Sequence, residues 1–134
     1  MADLSPAEIM LDSLVPAQHL IKRLQDVLKA PARYADINPS PEAKAARAAF
    51  RDAIQRDIDE LTAQREKAVA LVDRISDPVA KKVILYHYRL IGSGCGKMPY
   101  FKIGERMNYS DKSILRYHKK GVAQLNQILE GEKA

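Results

Sequence analysis

Residues 100–119 read YFKIGERMNYSDKSILRYHK, and how they divide between helix and turn decides the fold of the C-terminal half. Ile103, Met107, Tyr109, Ile114 and Tyr117 are apolar or aromatic at the positions where two steeply crossing helices share a small core. Gly104 lacks a side chain where the helices come closest. Asn108 falls where the chain must turn left-handed, a conformation that Asn tolerates better than most residues. Ser110 then caps a second helix and leaves its first turn free. The pattern is that of a helix-turn-helix, in which such a helix enters a major groove about 12 Å wide.

The charge around this unit is uneven. The 134 residues carry 22 Lys and Arg against 17 Asp and Glu, a net charge of +5. Residues 1–75 hold 11 basic and 12 acidic side chains, and residues 76–134 hold 11 and 5. From Lys97 to Lys120 seven basic residues (Lys97, Lys102, Arg106, Lys112, Arg116, Lys119, Lys120) face two acidic ones, Glu105 and Asp111. Such clustering is expected of a surface that meets a polyanion. On the second helix, Ile114, Tyr117, Gly121, Leu125 and Ile128 share one face, while Asp111, Lys112, Leu115, Arg116 and Lys119 share the other. Lys112 and Arg116 are the candidates for base edges, because both side chains match the acceptors of guanine. Ser110 and Ser113 are candidate donors to phosphate or base, and Lys102, Lys119 and Lys120 candidate backbone contacts, which position without specifying. Seven phosphate contacts would give a salt slope of roughly −6.

Upstream, the pattern is helical throughout and an all-α fold is expected. Ser5-Pro6-Ala7-Glu8 forms a capping box with proline in the first turn, and apolar residues recur at helical spacing from Ile9 to about Ala30. Pro16 interrupts this run and predicts a kink or two short helices meeting near Val15. Residues 31–41 carry three prolines and read as a loop. Ser40-Pro41 opens a long helix whose seam runs Ala46, Phe50, Ile54, Ile58, Leu61, Ala68, Leu71 with Val72, and Ile75, the spacing of a helical hairpin or short coiled coil. Arg65 interrupts the seam; it either fixes register or, the favoured reading, snorkels at an interface edge. Asp77-Pro78 starts a further helix, which the glycines at 92, 94 and 96 should stop. Pro99 opens the next, and the last helix should run from Ser110 to about Leu129, ending before Gly131. The chain is thus expected to divide into an N-terminal helical hairpin or coiled-coil module (1–75), used for oligomerisation, and a helix-turn-helix module (76–134).

Several function classes are disfavoured. One cysteine, Cys95, makes no internal disulfide, and Cys95, His87 and His118 lack metal-ligand spacing. His118 is expected to pack against the preceding helix. Gly92–Lys97 resembles part of a phosphate-binding loop, but Ile91 and Met98 stand where that motif needs Gly and Ser or Thr. No constellation proposes catalysis, and no cofactor is expected. The opening MADLSPAEIM lacks the basic-then-apolar order of a secretory signal, and no apolar run approaches a membrane span, so a cytoplasmic location is expected.

Residues 76–129 resemble the fourth-region helix-turn-helix of bacterial sigma factors. Ile75-Ser-Asp-Pro, Val83-Ile-Leu-Tyr-His-Tyr88, Tyr109-Ser110, Ser113-Ile-Leu-Arg-Tyr-His118 and Ala123 together resemble a family of phage and prophage proteins related to the ArpU and RinA late-gene regulators. Tyr100 stands where that family usually has tryptophan, and the loop bearing Gly92, Gly94 and Gly96 is longer. The resemblance implies a DNA-binding transcriptional regulator of phage or prophage genes in a bacterial host, acting on double-stranded DNA, and the long seam from Ala46 to Ile75 suggests that it works as a homodimer. A DNA-packaging adaptor of the small-terminase kind, or a module that docks on RNA polymerase or another protein without touching DNA, is the competing reading.

Overall fold

The computed structural model describes residues 4–29, 40–91 and 96–133, and all of its regular structure is helical. The order is α1 (Pro6–Lys29), α2 (Pro41–Val72), α3 (Pro78–His87), α4 (Tyr100–Met107) and α5 (Asp111–Lys133). Most of the expected loop at 31–41, together with Gly92, Gly94 and Cys95, lies outside the described residues.

Local chemistry sets the helix starts. At α1 the Glu8 amide donates to Ser5 Oγ at 3.3 Å while the Ser5 hydroxyl donates to Glu8 Oε1 at 2.9 Å, closing the capping box. Ser40 Oγ accepts from the Ala43 amide at 3.1 Å, and Pro41 fills the first turn of α2. Asp77 Oδ1 accepts from the amides of Val79 and Ala80 at 2.9 and 3.0 Å, with Pro78 in the first turn of α3.

Pro16 does not divide α1, which is one helix of 24 residues. The expected break into two short helices is overturned because both halves are held by neighbours. Ala7, Leu11 and Leu14 are buried in the core, and farther along Leu20 and Leu24 line a surface groove with Leu61. The Arg51 guanidinium donates to the Leu28 carbonyl at 3.1 Å. Met10 and Leu71 line a common groove at the other end, so α1 and α2 run antiparallel. Pro16 itself is exposed.

The core crosses the 75/76 boundary. Leu11 from α1, Val72 from α2, Ile84 from α3 and Leu125 from α5 belong to one buried cluster, joined by Ile75 and Tyr88. Polar groups of α5 secure the starts of two other helices: Asn126 Oδ1 accepts from the Ala7 amide at 2.9 Å, and Gln124 Oε1 from the Asp77 amide at 3.2 Å. At Gly121 the helices α3 and α5 nearly touch, for a Cβ there would lie 2.8 Å from Ile84 Cγ1 and 3.2 Å from the Ala80 carbonyl oxygen.

Two helix ends differ from expectation. α3 stops at His87, before the glycines, in a Schellman turn: the Leu90 amide donates to Leu85 O at 2.9 Å, the Arg89 amide to Tyr86 O at 3.2 Å, and Arg89 is left-handed at φ 57°. Arg65 secures this turn: instead of snorkelling at an edge, its guanidinium donates to the carbonyls of Arg89 and Leu90 at 3.3 and 2.8 Å, tying the segment after α3 to α2. At the other end, α5 continues through Gly131 to Lys133, and Glu132 is paired with Arg74 across the bundle. One glycine in a helix costs about 1 kcal/mol, too little to end a turn that is tied down in this way.

Candidate nucleic-acid interface

α4 and α5 meet at a corner of three residues, Asn108 to Ser110. Asn108 is left-handed, with φ 61° and ψ 47°, and the Tyr109 amide donates to Gly104 O at 2.9 Å. The turn folds back so closely that a Cβ on Gly104 would lie 2.5 Å from the Tyr109 carbonyl oxygen. Ser110 caps α5, accepting from the Ser113 amide at 3.2 Å while its hydroxyl donates to Ser113 Oγ at 3.0 Å. Ile103 and Ile114 are buried between the two helices, together with Val83 of α3 and Met98, and Met107 and Tyr117 close the rim. Tyr109 departs from the expected core. It is exposed, its ring meeting that of Tyr117 edge-on with centroids 5.7 Å apart.

This corner presents the start of α5 to solvent. Asp111, Lys112, Leu115, Arg116 and Lys119 are all exposed on its outward side, and Lys102 is exposed on α4. Lys102, Lys112 and Lys119 form no ion pair among the described residues. The Arg116 guanidinium lies 5.7 Å from the Tyr117 ring centroid, and that of Arg106 lies 5.8 Å from the Tyr86 centroid, both within cation–π range. Ser110 and Ser113 stand at the helix start, their hydroxyls already joined to each other.

Two of the seven clustered cations point elsewhere. Lys120 pairs with Asp77 at 2.7 Å, at the start of α3; its ammonium, with the Ala80 and Val79 amides, holds the Asp77 carboxyl below the usual carboxylate range. Lys97 pairs with Asp12 of α1 at 2.6 Å and lies 5.5 Å from the Tyr88 ring centroid. Five basic side chains, Lys102, Arg106, Lys112, Arg116 and Lys119, therefore remain for an anionic partner.

Sequence spacing missed a polar aromatic cluster behind the corner. His118 packs against Tyr100 of the preceding helix, α4, as expected, and also against His87 of α3 and Tyr88 just after it. The Tyr88 hydroxyl lies 3.0 Å from His118 Nε2 and the Tyr100 hydroxyl 3.4 Å from Nδ1. The two histidine centroids are 5.0 Å apart, and the His87 ring stacks on Tyr100 at 4.9 Å. His87 Nδ1 lies 2.8 Å from the Met98 carbonyl, which can only accept, so that nitrogen carries the proton. Glu8 and Asp12 approach from α1 and Lys97 from the segment before α4, so the cluster braces the corner against the rest of the bundle. Burial, reinforced by the neighbouring His87, pushes His118 down to about 4; burial also lowers His87 and raises the phenols of Tyr88 and Tyr100.

A pH dependence follows. Between the ordinary histidine value of 6.5 and about 4, the unfolded chain binds a proton at residue 118 that the folded chain does not. Stability should therefore be full above pH 6.5 and fall as the pH drops toward 4. The half-buried ring limits the loss to about 1–2 kcal/mol. Urea unfolding of the wild type and of His118→Gln between pH 7 and 4 checks this. The variant should show a shallower decline, and equal slopes would remove His118 as the cause.

Among the described residues, no three His, Cys, Asp or Glu side chains converge as a metal site, and no helix is long and apolar enough to cross a membrane. The chain matches no family model, no curated protein and no solved structure.

Proposed function

We propose that the protein binds double-stranded DNA in a sequence-specific manner and regulates transcription, with α5 as the recognition helix. The observation that carries this reading is the start of α5, where Lys112, Arg116 and Lys119 stand exposed on one side of a helix whose other side, at Ile114 and Tyr117, packs against α3 and α4. An α-helix with its side chains is about 10–12 Å across, which suits the major groove. In this reading Lys112 and Arg116 contact base edges, Ser113 and Asp111 flank them, and Lys102, Lys119 and Arg106 hold phosphates. Ser110 serves by capping the helix, and Lys120 by steadying α3 through Asp77.

The resemblance to sigma-factor region 4 and to the ArpU- and RinA-related phage regulators supports the transcriptional part of the proposal. A homodimer is proposed with it. The first third of α2 extends past the last turn of α1, which lies beside Arg51, and exposes Phe50 at 61%. A second copy there would set two recognition helices on successive turns of the duplex, about 34 Å apart or a multiple of it.

Salt dependence tests the proposal. With Lys102, Arg106 and Lys119 on phosphates the log–log slope of duplex affinity against salt should be about −3, steepening to about −4 to −5 where Lys112 and Arg116 also meet phosphate on non-specific sequence, and shallower than all seven would give. Fluorescence anisotropy of a labelled random-sequence duplex across a salt series measures it, and affinity independent of salt would contradict DNA binding.

A further inference from the structure

One side chain on the outward face of α5 is not explained by charge. Leu115 is 39% exposed, and it belongs to neither buried cluster. Its neighbours on the helix surface are Asp111 and Lys112 one turn before it, Lys119 one turn after, and Arg116 beside it, all exposed. The face is thus an isobutyl group among three cations and one carboxylate. The major groove has the complementary layout, with phosphates along both rims and, on its floor, the thymine 5-methyl among the hydrogen-bonding base edges. Helical side chains lean toward the N-terminus, so Leu115 is directed to the turn that enters the groove first.

We propose that Leu115 reads a thymine through its 5-methyl group, beside the base contacted by Arg116. The inference rests on the DNA-binding reading above and deepens it: the recognised site contains a thymine whose methyl, rather than its hydrogen-bonding pattern, is required.

Deoxyuridine isolates the contact, because it keeps every hydrogen-bonding group of thymidine and lacks only the methyl. The intact protein is used to select bound fragments from two pools of random duplexes, one made with thymidine and one with deoxyuridine. The wild type should enrich a thymine at one position of the thymidine pool. On the selected duplex, exchanging that thymidine for deoxyuridine should weaken binding about fourfold, the value of one buried methyl group. Leu115→Ala and Leu115→Gln should bind both duplexes equally while keeping the guanine preference attributed to Arg116. Because Leu115 lies outside the core, both variants should retain wild-type helicity by circular dichroism. Equal wild-type binding of the two duplexes, with the guanine preference intact, would overturn the thymine inference and leave the DNA reading standing. No enrichment from either pool, with no salt-dependent binding, would overturn both.

Discussion

Replacing Lys112 and Arg116 together with alanine is expected to lower affinity for a selected duplex about a hundred- to a thousandfold, with helix content and unfolding midpoint nearly unchanged. Each paired contact to a guanine edge supplies about 1–3 kcal/mol of discrimination, so two such losses sum to about 2–6 kcal/mol, and a hundred- to a thousandfold lies in the middle of that span. Both side chains are exposed, and the Arg116 guanidinium lies over the neighbouring Tyr117 ring. Removing them therefore leaves both buried clusters intact. Residual binding should be that of a sequence-independent polycation, weak and still salt-dependent. Lys102→Ala provides the contrast, weakening binding to all sequences alike and making the salt slope shallower by about 0.9. If the double variant keeps the wild-type DNA footprint, α5 is not the reading head, and the basic face would be better assigned to a protein partner.

Gly104→Ala should produce the largest loss of stability among single substitutions at the corner, about 3 kcal/mol. The added methyl would sit 2.5 Å from the Tyr109 carbonyl oxygen, a backbone atom that cannot rotate aside, with Asp111 Oδ1 at 3.7 Å behind it. Relief requires the turn to move away from α4, which separates Ile103 from Ile114 and loosens the cap at Ser110. Forcing extra volume into such a site commonly costs 1–3 kcal/mol, and rigid backbone places this case at the upper end. Gly131→Ala is the matched control, because nothing lies within 4 Å of the added atom. There, within α5, alanine should stabilise by about 0.5–1 kcal/mol. Urea unfolding of the two variants should move in opposite directions; similar shifts would mean that Gly104 is not at a close approach.

What could be read in advance was local. The caps at Ser5, Ser40, Asp77 and Ser110, the left-handed Asn108 and the close approach at Gly104 all depend on residues within about five positions, so spacing alone exposes them. The misses share a different origin. Pro16 leaves α1 whole because α2 holds both sides of it. The turn that follows α3 is held by Arg65 of α2, whose guanidinium reaches the Arg89 carbonyl 24 residues farther along the chain. Lys120 and Lys97 looked equivalent to Lys112 in a charge count, yet Asp77 and Asp12 engage them from other helices. The pairing of Tyr88 with His118 spans 30 residues and follows no sequence period. For the site, the outward face of α5 was legible from helical periodicity, whereas the number of cations available to a partner required the packing.

Backbone amide shifts of the isotopically labelled protein, followed during titration with a selected duplex, test the central claim most directly. The account predicts that the largest changes fall on residues 110–119 and around Lys102, with α2 and the second half of α5 nearly silent. Changes concentrated on α1 and α2, with 110–119 unperturbed, would contradict it.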